Sequence, residues 1–187
     1  MDNKVIIGLV GHPSSGKDTV AGYLENKYGF SHVSAGDLIR DYMKKNNMGE
    51  PERARMREVG NELRRKYGAD YLVELAVKKD ADRLLVSGVR TIAEANKIKE
   101  KGGVIVGLRS PIEFRYRLAR FRGRAGDGSF KEFKKLEEKE ARSKDTNEQD
   151  VEGVMKIADF TIDNDSTLEK LLEKIDGLAT KLISKYN

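Results

Sequence analysis

The chain has 187 residues, of which 38% are hydrophobic and 36% charged, with 36 basic residues against 31 acidic ones. This composition indicates one folded domain with a charged surface and argues against a disordered chain. Apolar runs are short and cysteine is absent, so we expect no membrane span, no disulfide and no cysteine nucleophile. With no basic-then-apolar leader, the sequence predicts a cytoplasmic protein. The net charge of +5 favours anionic partners such as nucleotides and would also fit nucleic acid, which we do not expect because stacking aromatic residues are not interleaved on the exposed side of the arginine-rich segment at 109–124.

Strands and helices are predicted to alternate along the chain. A brief extended piece is predicted at residues 31–33, and strands are predicted at residues 83–87, 104–108 and 160–162. Residues 4–10 are a short apolar run with β-branched residues. Such runs are typical of strands that are buried on both faces of a sheet. The pattern therefore predicts an α/β protein with a five-stranded parallel sheet flanked by helices. Ligands of such sheets bind beyond the carboxyl ends of the strands.

The helices have recognisable signals. Residues 36–66 form a polar, helix-prone stretch. Three later helices are expected to begin at capping boxes, in which a Ser or Thr and a Glu three residues on satisfy free backbone amides. These boxes are Thr91 with Glu94, Ser110 with Glu113, and Ser166 with Glu169. The last helix carries an apolar stripe that should pack on the sheet.

Residues 11–17, Gly-His-Pro-Ser-Ser-Gly-Lys, match the Gly-x4-Gly-Lys core of a Walker A loop. Its glycines let successive backbone amides point inward at phosphate oxygens, and Lys17 is placed to reach the β- and γ-phosphates. The loop follows an apolar strand and precedes an amphipathic helix, as this motif requires. We therefore predict that ATP binds here with Mg²⁺. The predicted nucleotide-binding residues of this segment are Gly11, His12, Pro13, Ser14, Ser15, Gly16, Lys17, Asp18 and Thr19.

The residue after the lysine departs from the simplest motif. Asp18 stands where many P-loop proteins have a Ser or Thr that binds Mg²⁺, and Thr19 comes one place later. A Gly-Lys-x-Thr step resembles adenylate kinases, and Gly-Lys-Asp-Thr resembles the deoxynucleoside monophosphate kinases. Asp18 either contributes to Mg²⁺ binding, directly or through water, or serves only as an acid at the helix N-terminus.

Two further segments resemble the part of these kinases that binds the phosphate acceptor. Residues 34–40, Ser-Ala-Gly-Asp-Leu-Ile-Arg, resemble the Ser-Thr-Gly-Asp-x-x-Arg segment of adenylate kinases, and residues 84–91 resemble their strand that ends in Asp-Gly-Phe-Pro-Arg-Thr. The resemblance implies that Arg40 and Arg90 bind the phosphate of the acceptor. Guanidinium groups suit this role because they pair bidentately with phosphate oxygens.

One acid of the family pattern is missing. Ser87 stands where these kinases carry an aspartate that helps to order Mg²⁺ and its water molecules. The resemblance then assigns this duty to Asp37 or to Asp18, acting mainly through water.

Other segments extend the resemblance over nearly the whole chain. Residues 57–71 resemble phage and bacterial deoxynucleoside monophosphate kinases, and residues 158–164 resemble dephospho-coenzyme A kinase. The chain is thus similar to the P-loop nucleoside monophosphate kinase superfamily. This implies one P-loop NTPase domain over residues 1–187. Its expected parts are a core of residues 1–35, 69–121 and 151–187, a helical acceptor-binding insertion at about 36–68, and a short lid at about 122–150.

An arginine cluster precedes the predicted lid. A helix from Ser110 is expected to bury Phe114, Leu118 and Phe121 on one face and to present arginines on the others. Lid arginines can stabilise the transferring phosphate and exclude water. We select Arg120 and Arg124 for this role, with a solvated basic face as the alternative.

These features predict transfer of the γ-phosphoryl group of ATP to a nucleoside or deoxynucleoside monophosphate by a monomer or dimer. The adenine base is expected to pack near Asn164. An alternative is dephospho-coenzyme A kinase-like transfer to a sugar hydroxyl, in which Asp37 acts as general base. An alternative from another class is a non-catalytic, ATP-binding regulatory or RNA-associated protein. His12 and His32 are read as structural, since neither has a sequence partner that suggests a metal site.

Overall fold

The computed structural model describes residues 4–122 and 128–186. Its strands are β1 (Val5–Val10), β2 (Ser31–Ser34), β3 (Arg83–Ser87), β4 (Val104–Arg109) and β5 (Phe160–Asp163). They form one sheet in the order β2-β3-β1-β4-β5, and every neighbouring pair is parallel. The predicted α/β fold with five parallel strands is confirmed. The first strand lies at the centre, so the loop that follows it emerges at the middle of the sheet edge.

The described residues form nine helices, some of which cover the two faces of the sheet. They are α1 (Lys17–Tyr28), α2 (Ala35–Lys45), α3 (Arg53–Tyr67), α4 (Tyr71–Val77), α5 (Ile92–Glu100), α6 (Ile112–Arg122), α7 (Phe130–Ala141), α8 (Val151–Lys156) and α9 (Leu168–Tyr186). The helix-prone stretch at 36–66 is divided into α2 and α3. The break falls where Asn47 and Gly49 adopt positive φ angles of 52° and 82°, which end a right-handed helix.

Alternate residues of β1 pack on opposite faces of the sheet. Val5, Ile7 and Leu9 belong to a core with α1 and α9, whereas Ile6 and Val10 belong to a core with α4, α5 and α8. This explains why the strand reads as a continuous apolar run. The helices α2, α3 and α4 bury a third cluster of their own, which supports the walls of the site described below. Among the described residues, no helix has the length and apolar character needed to cross a membrane.

The helix starts agree with prediction in one case of three. Thr91 and Glu94 form a complete capping box at α5. The box predicted at Ser110 is wrong, because α6 begins at Ile112 and the buried Ser110 hydroxyl has no hydrogen-bond partner among the described residues. At α9 the cap is Thr167 rather than Ser166, since the Thr167 hydroxyl accepts from the Lys170 amide at 3.4 Å. The helix begins one residue later than predicted.

Candidate active site

The loop of residues 11–16 joins β1 to α1 and has the backbone shape of a phosphate cradle. Ser14 and Gly16 have positive φ angles of 58° and 100°, which turn backbone amides toward one side of the loop. The buried Asn164 amide donates to the Ser15 carbonyl at 3.0 Å. A Cβ atom on Gly16 would lie 2.6 Å from that same amide. Asn164, which we predicted near the adenine base, therefore supports the loop directly.

The Lys17 side chain folds back into this loop. Its ammonium group donates to the carbonyl oxygens of Gly11 at 2.8 Å and His12 at 2.7 Å. Burial is the main cause that lowers the pKa of Lys17 to about 7; the charge of Arg90 acts in the same direction and Asp18 opposes the shift. An ammonium with so low a pKa is poorly solvated, so a polyanion beside it would be bound strongly.

His12 lies within the same loop between two glutamates of later helices. Its Nδ1 is 3.8 Å from the Glu137 carboxylate and its Nε2 is 3.4 Å from the Glu152 carboxylate. Burial is the main cause that lowers the pKa of His12, and Glu137 opposes it. The imidazole is therefore mostly neutral at pH 7. Asp18 and Thr19 follow the loop and are exposed at the start of α1.

A cleft of about 680 Å³ opens beside the loop, between it and the helices α2 and α3. Five arginines line this cleft: Arg40, Arg53, Arg57, Arg64 and Arg90. The Walker lysine, Asp18 and Asp37 line it as well. The tertiary structure thus places the predicted nucleotide side and the predicted acceptor side in one cavity. Arg53 had no role in the sequence-based prediction, because nothing in the local pattern distinguishes it from a surface arginine.

The arginines of the cleft differ in their partners. Arg40 is half-exposed and pairs with Asp37 on its own helix. Arg64 is fully buried and donates from Nε to Glu94 at 2.8 Å. Arg90 is buried enough that its pKa is lowered, mainly by desolvation. A guanidinium that must stay charged in such surroundings requires an anion beside it.

Two further residues of the cleft have polar atoms that find no partner. The Nε atom of Arg57 and the Oε1 atom of Gln149 are inaccessible to solvent and make no hydrogen bond to the described part of the chain. Buried polar atoms are normally satisfied. These two atoms are exceptions to that rule, and they are too buried to contact a ligand in the cleft without a movement of their side chains.

Ser87, the last residue of β3, contacts His32 of the neighbouring strand β2. The Ser87 hydroxyl lies 2.7 Å from His32 Nε2, and His32 Nδ1 lies 3.6 Å from the Glu25 carboxylate. All three residues line the cleft. Within residues 4–122 and 128–186, no group of three or more His, Cys, Asp or Glu side chains could hold a metal ion alone. Asp18 and Asp37 are thus suited to hold Mg²⁺ only together with nucleotide phosphates and water, the usual manner for this ion.

The predicted lid arginines are placed differently from one another. Arg115 is buried on α6, makes a bidentate pair with Glu137 of α7, and lies 3.5 Å from the Pro13 carbonyl of the loop. Arg120 is exposed and does not line the cleft. Arg124 lies outside the described residues.

The apolar face predicted for α6 is wrong. Phe121 is 92% exposed, whereas Arg115 and Ala119 are buried. Helical periodicity alone did not identify the face, because Glu137 provides a buried partner for an arginine there.

The fold and the site together are those of a P-loop protein: the parallel sheet has this order, a phosphate loop follows the central strand, and a charged cleft lies beside it. A family model described as an AAA domain matches residues 10–152. The UPF0200 protein of Thermococcus sibiricus is 31% identical in an alignment 189 residues long, which covers 95% of this chain and 95% of that protein. The chain belongs to these two families.

Other relatives extend the comparison. The UPF0200/UPF0201 protein of Archaeoglobus fulgidus is 29% identical over 186 residues, and the chain spans 55% of the length of that protein. Shikimate kinase from Acinetobacter baumannii, solved with shikimate, has a TM-score of 0.59 at 16% identity and covers 98% of this chain and 96% of its own. Shikimate kinase from Bacteroides thetaiotaomicron has a TM-score of 0.60 at 15% identity and covers 95% and 98%. At such identities these structures establish the fold.

Proposed function

We propose that the chain transfers the γ-phosphoryl group of ATP to a small molecule that already carries a phosphate, a nucleoside or deoxynucleoside monophosphate. The observation that carries this proposal is the presence of two anion-binding ends in one cleft. Lys17 and the loop amides form one end, and the arginines near Arg53 and Arg90 form the other. A cleft of about 680 Å³ is of the size that encloses a small ligand.

Positioning and charge neutralisation would then perform the chemistry. A monophosphate is already a nucleophilic oxyanion, so no general base is required. Lys17 and the loop hold the donor phosphates, while Arg90 and its neighbours hold the acceptor in line. Asp18 and Asp37 would hold Mg²⁺ through water, and the ion would supply neutralisation of the negative charge on the donor phosphates.

A hydroxyl acceptor is the second candidate. The Asp37 carboxylate lines the cleft with 61% of its side chain exposed, and the fold is shared with kinases named for shikimate, a hydroxylated acid. A hydroxyl must lose its proton as it is phosphorylated, and Asp37 would accept it. Asp37→Asn would nearly abolish transfer to a hydroxyl, yet would only weaken transfer to a monophosphate through its effect on the metal.

The test is acceptor-dependent ADP formation from ATP and Mg²⁺ with a panel of ribo- and deoxyribonucleoside monophosphates, dephospho-coenzyme A and shikimate. We expect turnover with a monophosphate and its loss in Lys17→Ala. Arg90→Gln should raise KM for the acceptor at least about tenfold, because a bidentate phosphate contact is removed. Arg55→Gln is the matched control, since Arg55 lies on the same helix as Arg53, pairs with Glu58 and is outside the cleft lining.

Two outcomes would contradict the proposal. Turnover with shikimate or dephospho-coenzyme A alone would favour the hydroxyl acceptor. Absence of turnover across the whole panel, with ATP still bound, would favour a non-catalytic ATP-binding regulatory or RNA-associated protein.

A further inference from the structure

Glu140, near the end of α7, reaches into the acceptor end of the cleft. Its side chain is 5% exposed, and its two carboxylate oxygens accept from two different arginines. Arg53 donates from Nε at 2.8 Å and Arg90 from Nη1 at 3.5 Å. Arg53 begins α3 and Arg90 follows β3, so the fold brings two distant guanidinium groups onto one anion.

The neighbouring buried pair of Arg64 and Glu94 shows what a purely structural contact looks like here. Glu94 is fully buried, and it also accepts from the backbone amides of Arg90 at 2.6 Å and Thr91 at 3.2 Å. It therefore caps α5 as well as pairing with the arginine. Among its described hydrogen bonds, Glu140 accepts none from a backbone amide. It lines the cleft together with both of its arginine partners.

The Arg53 side chain also contacts an aromatic ring of α7. Its guanidinium carbon lies 5.2 Å from the ring centroid of Phe133, which is fully buried. The Phe133 contact thus helps to position Arg53, and the Glu140 carboxylate lies between Arg53 and Arg90, where an external anion would meet both.

We propose that Glu140 occupies the position of the acceptor's phosphate and makes the site selective for a dianion. This inference rests on the proposed function. Two guanidinium groups against one carboxylate leave one positive charge, whereas a phosphate of about −2 neutralises both groups. A neutral or singly charged group gains too little to displace Glu140, so the glutamate excludes such acceptors by competition. Arg53 and Arg90, rather than Arg40, form the primary phosphate clamp.

The test uses inorganic phosphate as the probe and thermal unfolding as the readout, since a ligand that binds the native state raises Tm. The variants are Glu140→Gln, the matched control Glu138→Gln on an exposed position of the same helix, and the double variant Arg53→Gln with Glu140→Gln. The double variant distinguishes phosphate at the clamp from phosphate at the P-loop.

We expect the phosphate concentration for half of the maximal Tm shift to fall about tenfold in Glu140→Gln, because a competing charge is removed. Glu138→Gln should match the wild type, and the double variant should lose the gain. If Glu140→Gln does not fold without an anion, phosphate should restore a cooperative transition. Equal responses of the two single variants, a gain that persists in the double variant, or failure of phosphate to restore folding would overturn the inference.

This binding test is separate from the turnover assay. Product formation with an unchanged phosphate response in Glu140→Gln would reject the role of Glu140 alone. If Glu140→Gln responds to phosphate as expected but no acceptor is turned over, the proposed function is rejected. The inference that Glu140 occupies an anion-binding position is then still supported.

Discussion

The buried ammonium of Lys17 leads to a quantitative prediction about nucleotide binding. In the free protein burial lowers the pKa of Lys17 to about 7. At pH 8, about a tenth of the molecules then carry the proton. A bound triphosphate places several negative charges beside this nitrogen and returns its pKa to above about 9. Binding at pH 8 should therefore take up about 0.8 proton per nucleotide.

Isothermal titration calorimetry measures this uptake directly. A non-hydrolysable ATP analogue with Mg²⁺ is titrated in buffers of different ionisation enthalpy, and the slope of the observed enthalpy gives the number of protons. His12 contributes little at pH 8, because burial lowers its pKa further from that pH. At pH 6 the uptake should fall to near zero, since Lys17 is then already charged.

Lys17→Arg is the matched control, because a guanidinium is charged across this range and takes up no proton. An uptake below about 0.2 in the wild type at pH 8, or the same uptake in Lys17→Arg, would refute the reasoning. The same pKa has a consequence for stability. Between about pH 7 and pH 10.5 the unfolded chain binds more protons than the free folded protein, so the free energy of unfolding should rise with pH.

Three further predictions concern the stability of the fold. Arg64→Met leaves the buried Glu94 carboxylate unpaired and should lower the free energy of unfolding in urea by about 3–5 kcal/mol; a loss below about 1 kcal/mol would contradict this. Asp176, whose pKa is lowered to about 2 by hydrogen bonds from one lysine and two tyrosines, stabilises the protein above its ordinary pKa of 3.8 and loses this contribution as pH falls through 2. Asp176→Asn should therefore flatten the stability profile between pH 4 and 2, and an unchanged slope would count against the network. Gly16→Ala should lower the free energy of unfolding by about 1–3 kcal/mol, because Gly16 has a positive φ angle, and it should weaken ATP binding. Gly177→Ala, on the exposed face of α9, should raise the free energy of unfolding by about 0.5–1 kcal/mol and leave ATP binding unchanged.

Buried ion pairs lie beside the cleft near Arg53, Arg64 and Arg90. Arg64 and Glu94 are fixed deep in the core, and Glu140 adds a second carboxylate between Arg53 and Arg90. Buried ion pairs contribute little net stability because desolvation offsets their attraction. By the inference above, Glu140 between Arg53 and Arg90 serves ligand binding, whereas the Arg64–Glu94 pair serves the fold.

The sequence by itself determined the features that depend on local patterns. All five strands were predicted, and the central strand β1 most directly, because it is buried on both faces and is therefore an apolar run with β-branched residues. The glycine spacing around Lys17 predicted the phosphate loop, because inward-facing amides require glycine at defined positions. Thr91 with Glu94 predicted a helix start, because both partners of a capping box lie within one turn.

Only the tertiary structure decided which charged side chains meet. Arg53 and Glu140 are 87 residues apart, and no local pattern relates a basic residue of α3 to an acidic residue of α7. Likewise, Arg115 is buried and Phe121 exposed because Glu137 from another helix compensates the arginine. Electrostatic partners act through space, and the sequence specifies them only through the complete fold that brings them together.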